Sequence, residues 1–534
     1  MMPQQQTTLA TLLPNMDLGK AASINISGVQ LDSRNIMPGE MFIALVGTKV
    51  DGRQFIAKAI GLGAACVLVE ADKQWQGFEW IGEVPVIAIE NLAQQVSQIA
   101  GNFYQHPGKH CRLIGVTGTN GKTTCTLLIA QLATLIGKEE KKFSSVAGVV
   151  GTLGFGTLDA NSLAPLDQQI GAVQSTGLTT PDPVNLQKIL SNLVSESAAT
   201  VAIEVSSHSL VLGRVAALEF DTAIFTNLSQ DHLDFHGDLI RYGNAKAKLL
   251  TQPNLKYAIV NSDDAWAKSL LGKIPGSVSA LSFSLSDDSA DIYLSNLKLT
   301  ARGAQATLHS PWGIADFVSP FMGKFNVSNL LAVIAAICID GADLESVLRL
   351  VPQLRAAPGR MQSVDLGDPQ QDIQVIVDYA HTPDALEKSL QAIREHTQSR
   401  VWSVFGCGGD RDKTKRPLMG RVAETYSDYL IITNDNPRSE EPSAIAADII
   451  RGLHNPNGCL VIADRAQAID FAVQQAKSGD LVLIAGKGHE DYQVFADQTI
   501  SFSDVKQARI ALQRRIAKRD TADLNDNNIE QRSL

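Results

Sequence analysis

The sequence predicts an α/β protein organised in three domains, and three observations carry that prediction. Continuous apolar strand runs alternate with helical patterns. After residue 355 nearly every strand run ends in glycines or polar residues. The rhythm breaks and restarts twice, near residues 108 and 355. Strands that are apolar throughout belong to a mainly parallel sheet covered on both faces, because a half-solvated strand alternates instead. A chain of 534 residues corresponds to about three domains at ~100–200 residues each.

In the first stretch, MFIALVG (41–47), ACVLVE (65–70) and VPVIAIE (84–90) read as strands. NLAQQVSQIAGNFYQHPG (91–108) reads as a helix closed by Pro and Gly. From Cys111 the order is strand, glycine turn, helix: CRLIGVTG (111–118) runs into GKTTCTLLIAQLATLIGK (121–138). Strand runs follow at 199–206, 222–228 and 257–264. After RAAPGRM (355–361) the rhythm restarts with QVIVDYAH, VWSVFGCGGD, YLIITNDNP, LVIAD and LVLIAGKGHE, separated by helices. Open α/β sheets bind ligands at the edge where such polar strand ends gather. The expected domains are 1–110, 111–355 and 356–518. The polar tail 519–534 is expected to be disordered.

Composition is ordinary for a globular protein, with 44 % apolar and 19 % charged residues, so collagen-like and wholly disordered classes are excluded. A net charge of −10 argues against a general binder of nucleic acid or anionic membranes. It leaves room for an anionic ligand in a locally basic cleft. The six cysteines form no CxxC pair and read as reduced thiols. The first twenty residues do not read as a signal peptide, and the longest apolar run, 330–339, is far short of the ~20 residues of a membrane span. A cytoplasmic, soluble monomer with neither nucleic acid nor membrane as a partner is expected.

The sharpest local signal is GVTGTNGKTT (115–124), where a strand ends, a Gly-rich turn follows and Lys122, Thr123 and Thr124 open a helix. Backbone N–H groups of Gly118, Thr119, Asn120 and Gly121 suit phosphate oxygens, and the helix N-terminus adds a favourable dipole. Lys122 would neutralise β/γ charge and Thr123 would offer a hydroxyl to Mg²⁺. The strict P-loop spacing needs Gly at 116, where Val116 stands. The central domain therefore reads as P-loop ATPase-like and the C-terminal one as Rossmann-like.

Other polar clusters sit at strand ends. EVSSH (204–208) presents Glu204, Ser206 and His208; NLSQDHLDFHG (227–237) presents Asp231, His232, Asp234 and His236. On spacing alone these fit turn or capping clusters as well as divalent-cation ligands. Lys246 and Lys248 read as solvated helix charges. Asn326 and Asn329 fit helix capping or ligand contact equally. FGCGGDRDKTKRP (405–417) is a basic, flexible loop suited to anionic groups. Arg438 sits in a turn set by Pro437, and Gly486, Lys487 and Glu490 occupy a third strand end.

Taken together, these residues resemble the Mur ligases, the ATP-dependent amino-acid ligases of peptidoglycan precursor synthesis. LDSR (31–34), GTNGKTT, EVSSH, NLSxDHLDxHG, GKFNVSNLL, PGRM, DYAHTPDAL and GKGHEDYQ occur in the family's order, so the likeness covers nearly all the chain up to the tail. It is nearest to the branch that adds the third residue of the peptide. The resemblance implies that a D-Glu carboxylate attacks the γ-phosphate of ATP, and that the amine of the incoming amino acid then displaces phosphate from the acyl phosphate. Lys122 and Arg360 would hold the γ-phosphate with Mg²⁺. Thr123 and Glu204 would bind one Mg²⁺ and His232 a second. Lys246 matches the family's carbamylated lysine, whose carbamate acts as a metal ligand. Asn326, Asn329 and Asp378 would contact the nucleotide, Asp378 through the ribose.

For the substrate UDP-MurNAc-L-Ala-D-Glu, the resemblance places the uridine end in a UDP-binding N-terminal α/β domain at Leu31, Ser33, Thr48, Lys49 and Val50. The peptide end would meet Thr179, Thr180, Ser206 and Arg214. Leu178 and Leu212 stand where the family pattern has Asn and Gln. DNPR (Asp435, Asn436, Pro437, Arg438) implies meso-diaminopimelate, because a guanidinium grips its distal carboxylate and lysine has none. Arg411 would share that pocket, and Glu490 with Gly486 would take the distal ammonium. Folate-adding ligases lack the LDSR region and DNPR. An ATPase that moves a partner would hydrolyse ATP without any amino acid.

Overall fold

The computed structural model of the protein describes residues 6–47 and 50–530, with side chains as far as Arg519. The chain forms two compact units. The first runs to Tyr293 and adds 310–313 and 329–350; the second takes 294–309, 314–328 and everything from Val351. The α/β class expected from the sequence holds in both.

The first unit is built on two larger sheets. The N-terminal one has the order 29–30, 41–44, 66–70, 84–89, 78–81, parallel except for its last strand. Alternate residues serve its two faces: Ile43, Leu68 and Ile87 pack under helix Leu92–Phe103, whereas Phe42, Val67, Val69 and Val86 pack under helix Ile56–Gly61. This period of two is what a sheet covered on both sides demands. The helix at 92–103 also explains why the N-terminal and central regions form one unit. Its Val96 and Ile99 share a core with Val184 of the central helix Pro183–Ser195. Its buried Ser97 accepts a hydrogen bond from the Ala217 N–H at 3.0 Å.

The central sheet of this unit has the order 154–159, 146–151, 200–204, 112–117, 222–225, 257–261, 279–284. Every pair is parallel except the 146–151/154–159 hairpin. Strand Arg112–Thr117 lies at its middle, so the turn after it emerges between two other strand ends, Glu204 and Phe225. Asp182, Ser206 and Asp238 cap the helices that follow them by accepting backbone N–H bonds.

The second unit is built on a sheet of order 362–363, 374–378, 481–485, 401–405, 429–432, 459–461, parallel apart from the short first strand. Ile376, Phe405, Ile432 and Leu483 face the helices at 383–396, 415–426 and 442–450. Val375, Val404, Ile431 and Val482 face the helices at 465–475 and 504–530. All parallel strands therefore deliver their C-terminal ends to one edge. The last helix spans Asp504–Glu530, so residues 519–530 of the tail expected to be disordered are helical, and 531–534 lie outside the described residues. Ala508, Ala511 and Leu512 anchor that helix on the core. Extension through a stretch without Pro or Gly costs little once a helix is nucleated.

Asp504 and Arg465, both fully buried, pair at 2.7 and 2.8 Å, and Arg465 also donates to the Ala485 carbonyl at the end of strand 481–485. Removing one partner leaves a bare charge in the core. Asp504→Ala should lower stability by about 3–5 kcal/mol in urea unfolding, whereas the paired apolar exchange Arg465→Met/Asp504→Leu should cost less.

Candidate active site

The turn Gly118–Gly121 is held by the neighbouring strand end. The Thr119 N–H donates to the Asn227 carbonyl and the Asn120 N–H to the Asn227 side chain, both at 2.9 Å; the Thr226 hydroxyl donates to the Asn120 carbonyl at 2.7 Å. Gly121 has φ +88°, where an L side chain is strained, and a Cβ there would collide with the Asn329 carboxamide. Asn329 is thereby brought beside the loop. Lys122, Thr123 and Thr124 open helix Lys122–Glu139, as the sequence implies.

Two lysine Nζ atoms converge on one carbonyl. Lys122 Nζ donates to the Gly118 and Thr119 oxygens at 2.8 Å, and Lys246 Nζ donates to the Gly118 oxygen at 2.8 Å. Lys246 is 1 % exposed and lies over the Tyr242 ring at 4.3 Å. It is no solvated helix charge. Burial, with Lys122 adding repulsion, pushes its pKa down to about 6, so the amine is largely neutral at pH 7.

Glu204 is likewise buried, and desolvation raises its pKa. Its carboxyl accepts from the Thr152 N–H at 2.8 Å and the Thr152 hydroxyl at 3.2 Å, and Thr123 is a further hydrogen-bond partner. Thr123 and Glu204 line a small cavity with Gly151 and Gly154. Hard oxygen donors around a buried carboxyl fit a divalent cation such as Mg²⁺. Lys246 as an amine offers such an ion nothing. Among the described residues no three His, Cys, Asp or Glu side chains gather as a metal cage.

His232, at φ +52°, sits edge-on to His208 with centroids 5.0 Å apart, and 6.1 Å from Tyr242. The buried His236 ring bonds the Ser207 hydroxyl at 2.9 Å. Thr180, Ser206 and Arg214 are brought together. The Thr180 hydroxyl bonds the Glu204 carbonyl at 2.7 Å and Ser206 Oγ at 3.2 Å, and the Arg214 guanidinium donates to the Thr180 carbonyl at 2.8 Å. Thr179 joins through Thr152 Oγ1 at 3.1 Å. Leu178 and Leu212 are exposed beside them. In the N-terminal region Leu31 packs on the core, Ser33 is 4 % exposed and Val50 is exposed; Thr48 and Lys49 lie outside the described residues.

Asn326 and Asn329 lie inside helix Lys324–Cys338, so neither caps it. Asn326 belongs to the second unit, where its amide donates to the Met322 carbonyl at 2.9 Å. In that unit Asp378 is turned inward. Its carboxyl accepts from the N–H groups of Met361 and Tyr379 at 3.1 and 2.9 Å and from the Ser389 hydroxyl, and burial raises its pKa. These bonds hold the PGRM turn, whose Arg360 guanidinium lies over the Tyr379 ring at 4.9 Å.

The strand-end loops of the second unit form one cluster. Arg438, at φ +51°, donates through Nη1 to the Gly409 carbonyl at 2.8 Å. The buried Asn436 donates to Glu490 Oε2 at 3.0 Å, and Asp435 Oδ2 lies close against Gly486. Pro437 closes the same turn. Of the basic loop, Arg416 is fully buried between Glu440 and Asp448, Lys413 pairs with Glu440, and Lys415 donates to the His381 carbonyl. Within the expected anion-binding loop Arg411 is exposed, whereas Glu440 and Asp448 claim Arg416, Glu440 pairs with the exposed Lys413, and the His381 carbonyl takes Lys415. Sequence reasoning assigned no role to Lys487, Thr152 or Asn227. Their signal lay in motifs already noted, GKGHE and NLSQ, and for Thr152 there was none.

A phosphate-cradling turn on one parallel sheet, with charged loops at the edge of a second, defines an α/β enzyme acting on nucleoside triphosphates. Three regions match described families: 25–104 the Mur ligase family catalytic domain, 116–337 the Mur ligase middle domain and 359–488 the Mur ligase glutamate ligase domain. The UDP-N-acetylmuramoyl-L-alanyl-D-glutamate--2,6-diaminopimelate ligase of Coxiella burnetii is 44 % identical over 94 % of this chain and 99 % of its own length. That of Pseudomonas aeruginosa is 44 % identical over 91 % of this chain and 95 % of its own. A solved structure of a ligase of that name superposes with a TM-score of 0.72 at 35 % identity, covering 95 % of this chain and 99 % of its own. The chain belongs to the Mur ligase family and is an ATP-dependent ligase.

The low pKa of Lys246 has a measurable sign. Between its folded pKa of about 6 and the ordinary lysine value the unfolded chain holds one more proton, so this group destabilises the fold increasingly as pH falls across that window, and by a constant amount below it. In metal-free, carbonate-free buffer, the stability gap between Lys246→Met and the native chain should widen from pH 10 towards pH 6. Urea midpoints at several pH values check this; a gap independent of pH would contradict the buried neutral amine.

Proposed function

We propose that the chain ligates meso-diaminopimelate to UDP-MurNAc-L-Ala-D-Glu with ATP, through an acyl phosphate, in cytoplasmic peptidoglycan precursor synthesis. The observation that carries this reading is the pair Arg438 and Glu490 on either side of Asn436. Arg438 Nη1 stands 3.5 Å from the Asn436 carbonyl, and Asn436 Nδ2 donates to Glu490 at 3.0 Å. A guanidinium and a carboxylate so placed match an amino-acid centre that bears both charges, as the distal end of diaminopimelate does. Lysine would leave Arg438 without a carboxylate. Relatives bearing the corresponding name over nearly the whole chain support the same substrate.

A carboxylate is a poor acceptor for an amine because it has no good leaving group. Its oxygen attacks the γ-phosphorus, the bond to the ADP oxygen breaks, and the mixed anhydride carries phosphate as leaving group. The amine then adds to the carbonyl carbon, loses a proton, and phosphate departs. The protein's part is positioning and charge neutralisation. Lys122, with backbone N–H groups of 118–121, takes the phosphates, helped by Thr124 and Arg360. Asn326, Asn329 and Asp378 serve the nucleotide, Asp378 by fixing the Arg360 turn as well as through the ribose. Leu31, Ser33, Thr48, Lys49 and Val50 would hold the uridine end; Thr179, Thr180, Ser206 and Arg214 the peptide end. Asp435, Pro437, Gly486 and Arg411 complete the amino-acid site.

The neutral amine of Lys246 is the form that adds to CO₂, which supports its carbamylation. Mg²⁺ held by Thr123, Glu204 and the carbamate, with a second ion at His232, would neutralise phosphate charge.

Phosphate release with ATP, Mg²⁺ and UDP-MurNAc-L-Ala-D-Glu should depend on meso-diaminopimelate and not on L-lysine. Release without any amino acid would instead mark a plain ATPase. Arg438→Ala should cut kcat/KM for diaminopimelate by about 10²-fold, the worth of a charge-assisted bidentate contact, in the same steady-state assay.

A further inference from the structure

Lys487 is fully buried, yet it carries an ammonium group at the edge of the amino-acid site. Its Nζ donates to Asn436 Oδ1 at 3.0 Å and to Glu490 Oε2 at 3.0 Å, and lies 5.5 Å from the centre of the Tyr492 ring. Asn436 closes the triangle by donating through Nδ2 to the same Glu490 oxygen, and its side-chain Oδ1 also accepts from the Val494 N–H at 3.0 Å. Glu490 Oε2 thus has two donors, while Oε1 accepts no hydrogen bond among the described residues. The Glu490 side chain keeps 19 % of its surface exposed.

A simple turn-closing ion pair does not require burying the lysine completely, and burying an ammonium is costly without fixed partners. We infer that Lys487 is a positioning and specificity-determining residue of the amino-acid site: it pins one oxygen of Glu490 and the Asn436 carboxamide from beneath, so that the other Glu490 oxygen meets the ammonium of the incoming amino acid. The inference rests on the diaminopimelate reading of this site. It has an electrostatic corollary. Lys487 offsets part of the Glu490 charge, so removing it makes the cluster one charge more negative. That favours a side chain ending in an ammonium alone over one that also bears a carboxylate.

The test is steady-state kinetics on the full chain with ATP, UDP-MurNAc-L-Ala-D-Glu and either meso-diaminopimelate or L-lysine, for the native protein, Lys487→Met, Glu490→Gln and the double variant. Lys487→Met should raise KM for diaminopimelate about tenfold to a hundredfold, the range for a lost hydrogen bond to a charged group. KM for ATP should stay the same, and the preference for diaminopimelate over lysine should fall. In the Glu490→Gln background the same exchange should add little, because two groups acting as one are not additive. An unchanged KM for diaminopimelate, equal losses towards all three substrates, or effects that multiply with Glu490→Gln would overturn the inference. If Lys487→Met does not fold, Lys487→Gln, which keeps an N–H donor, takes its place. If neither folds, the ion pair is a folding requirement and the inference falls. A native chain with no diaminopimelate-dependent turnover would refute the substrate reading instead.

Discussion

The Gly118 carbonyl is the point on which the first unit's chemistry turns. Two lysines from different helices donate to it. Burial first, and then repulsion from Lys122, disfavour charge on the more deeply buried of the two, which is Lys246. The Thr226–Asn227 strand end sets the loop that carries this carbonyl, so sheet order and phosphate chemistry are one problem.

The second unit solves a different one, namely how to hold charged loops of DNPR and GKGHE in a fixed mutual geometry. Support comes from beneath. Arg465 reaches the Ala485 and Asn434 carbonyls while paired to Asp504, and Gln493 donates to the Asp435 carbonyl at 2.8 Å. The Asn434, Asp435 and Ala485 carbonyls are thereby satisfied by buried side chains, while Arg438, Glu490 and Arg411 stay at least partly accessible. Arg416, although it lies in the same basic stretch, is consumed by Glu440 and Asp448.

Much of the fold was legible because parallel strands buried on both faces must be apolar at every position. Strands 112–117, 200–204 and 222–225 declared themselves that way. Local chemistry announced the phosphate turn through glycines before a Lys-Thr-Thr helix start, and motif order announced the family. Pairings between distant strands were not legible. Nothing in the sequence joins Glu204 to Thr152, or Lys246 to a carbonyl 128 residues earlier.

The sequence by itself determined the α/β class, the phosphate turn and the set of charged residues at strand ends, since each follows from local spacing and burial pattern. Tertiary structure decided which charges are spent and which are free. Lys246 changes from a solvated cation to a buried neutral amine, Asp378 turns inward to hold the Arg360 turn, Arg416 is taken up by Glu440 and Asp448, and Lys487 is buried against Asn436 and Glu490. Charge state and accessibility depend on desolvation and on partners far away in the chain, and only the folded chain brings those together.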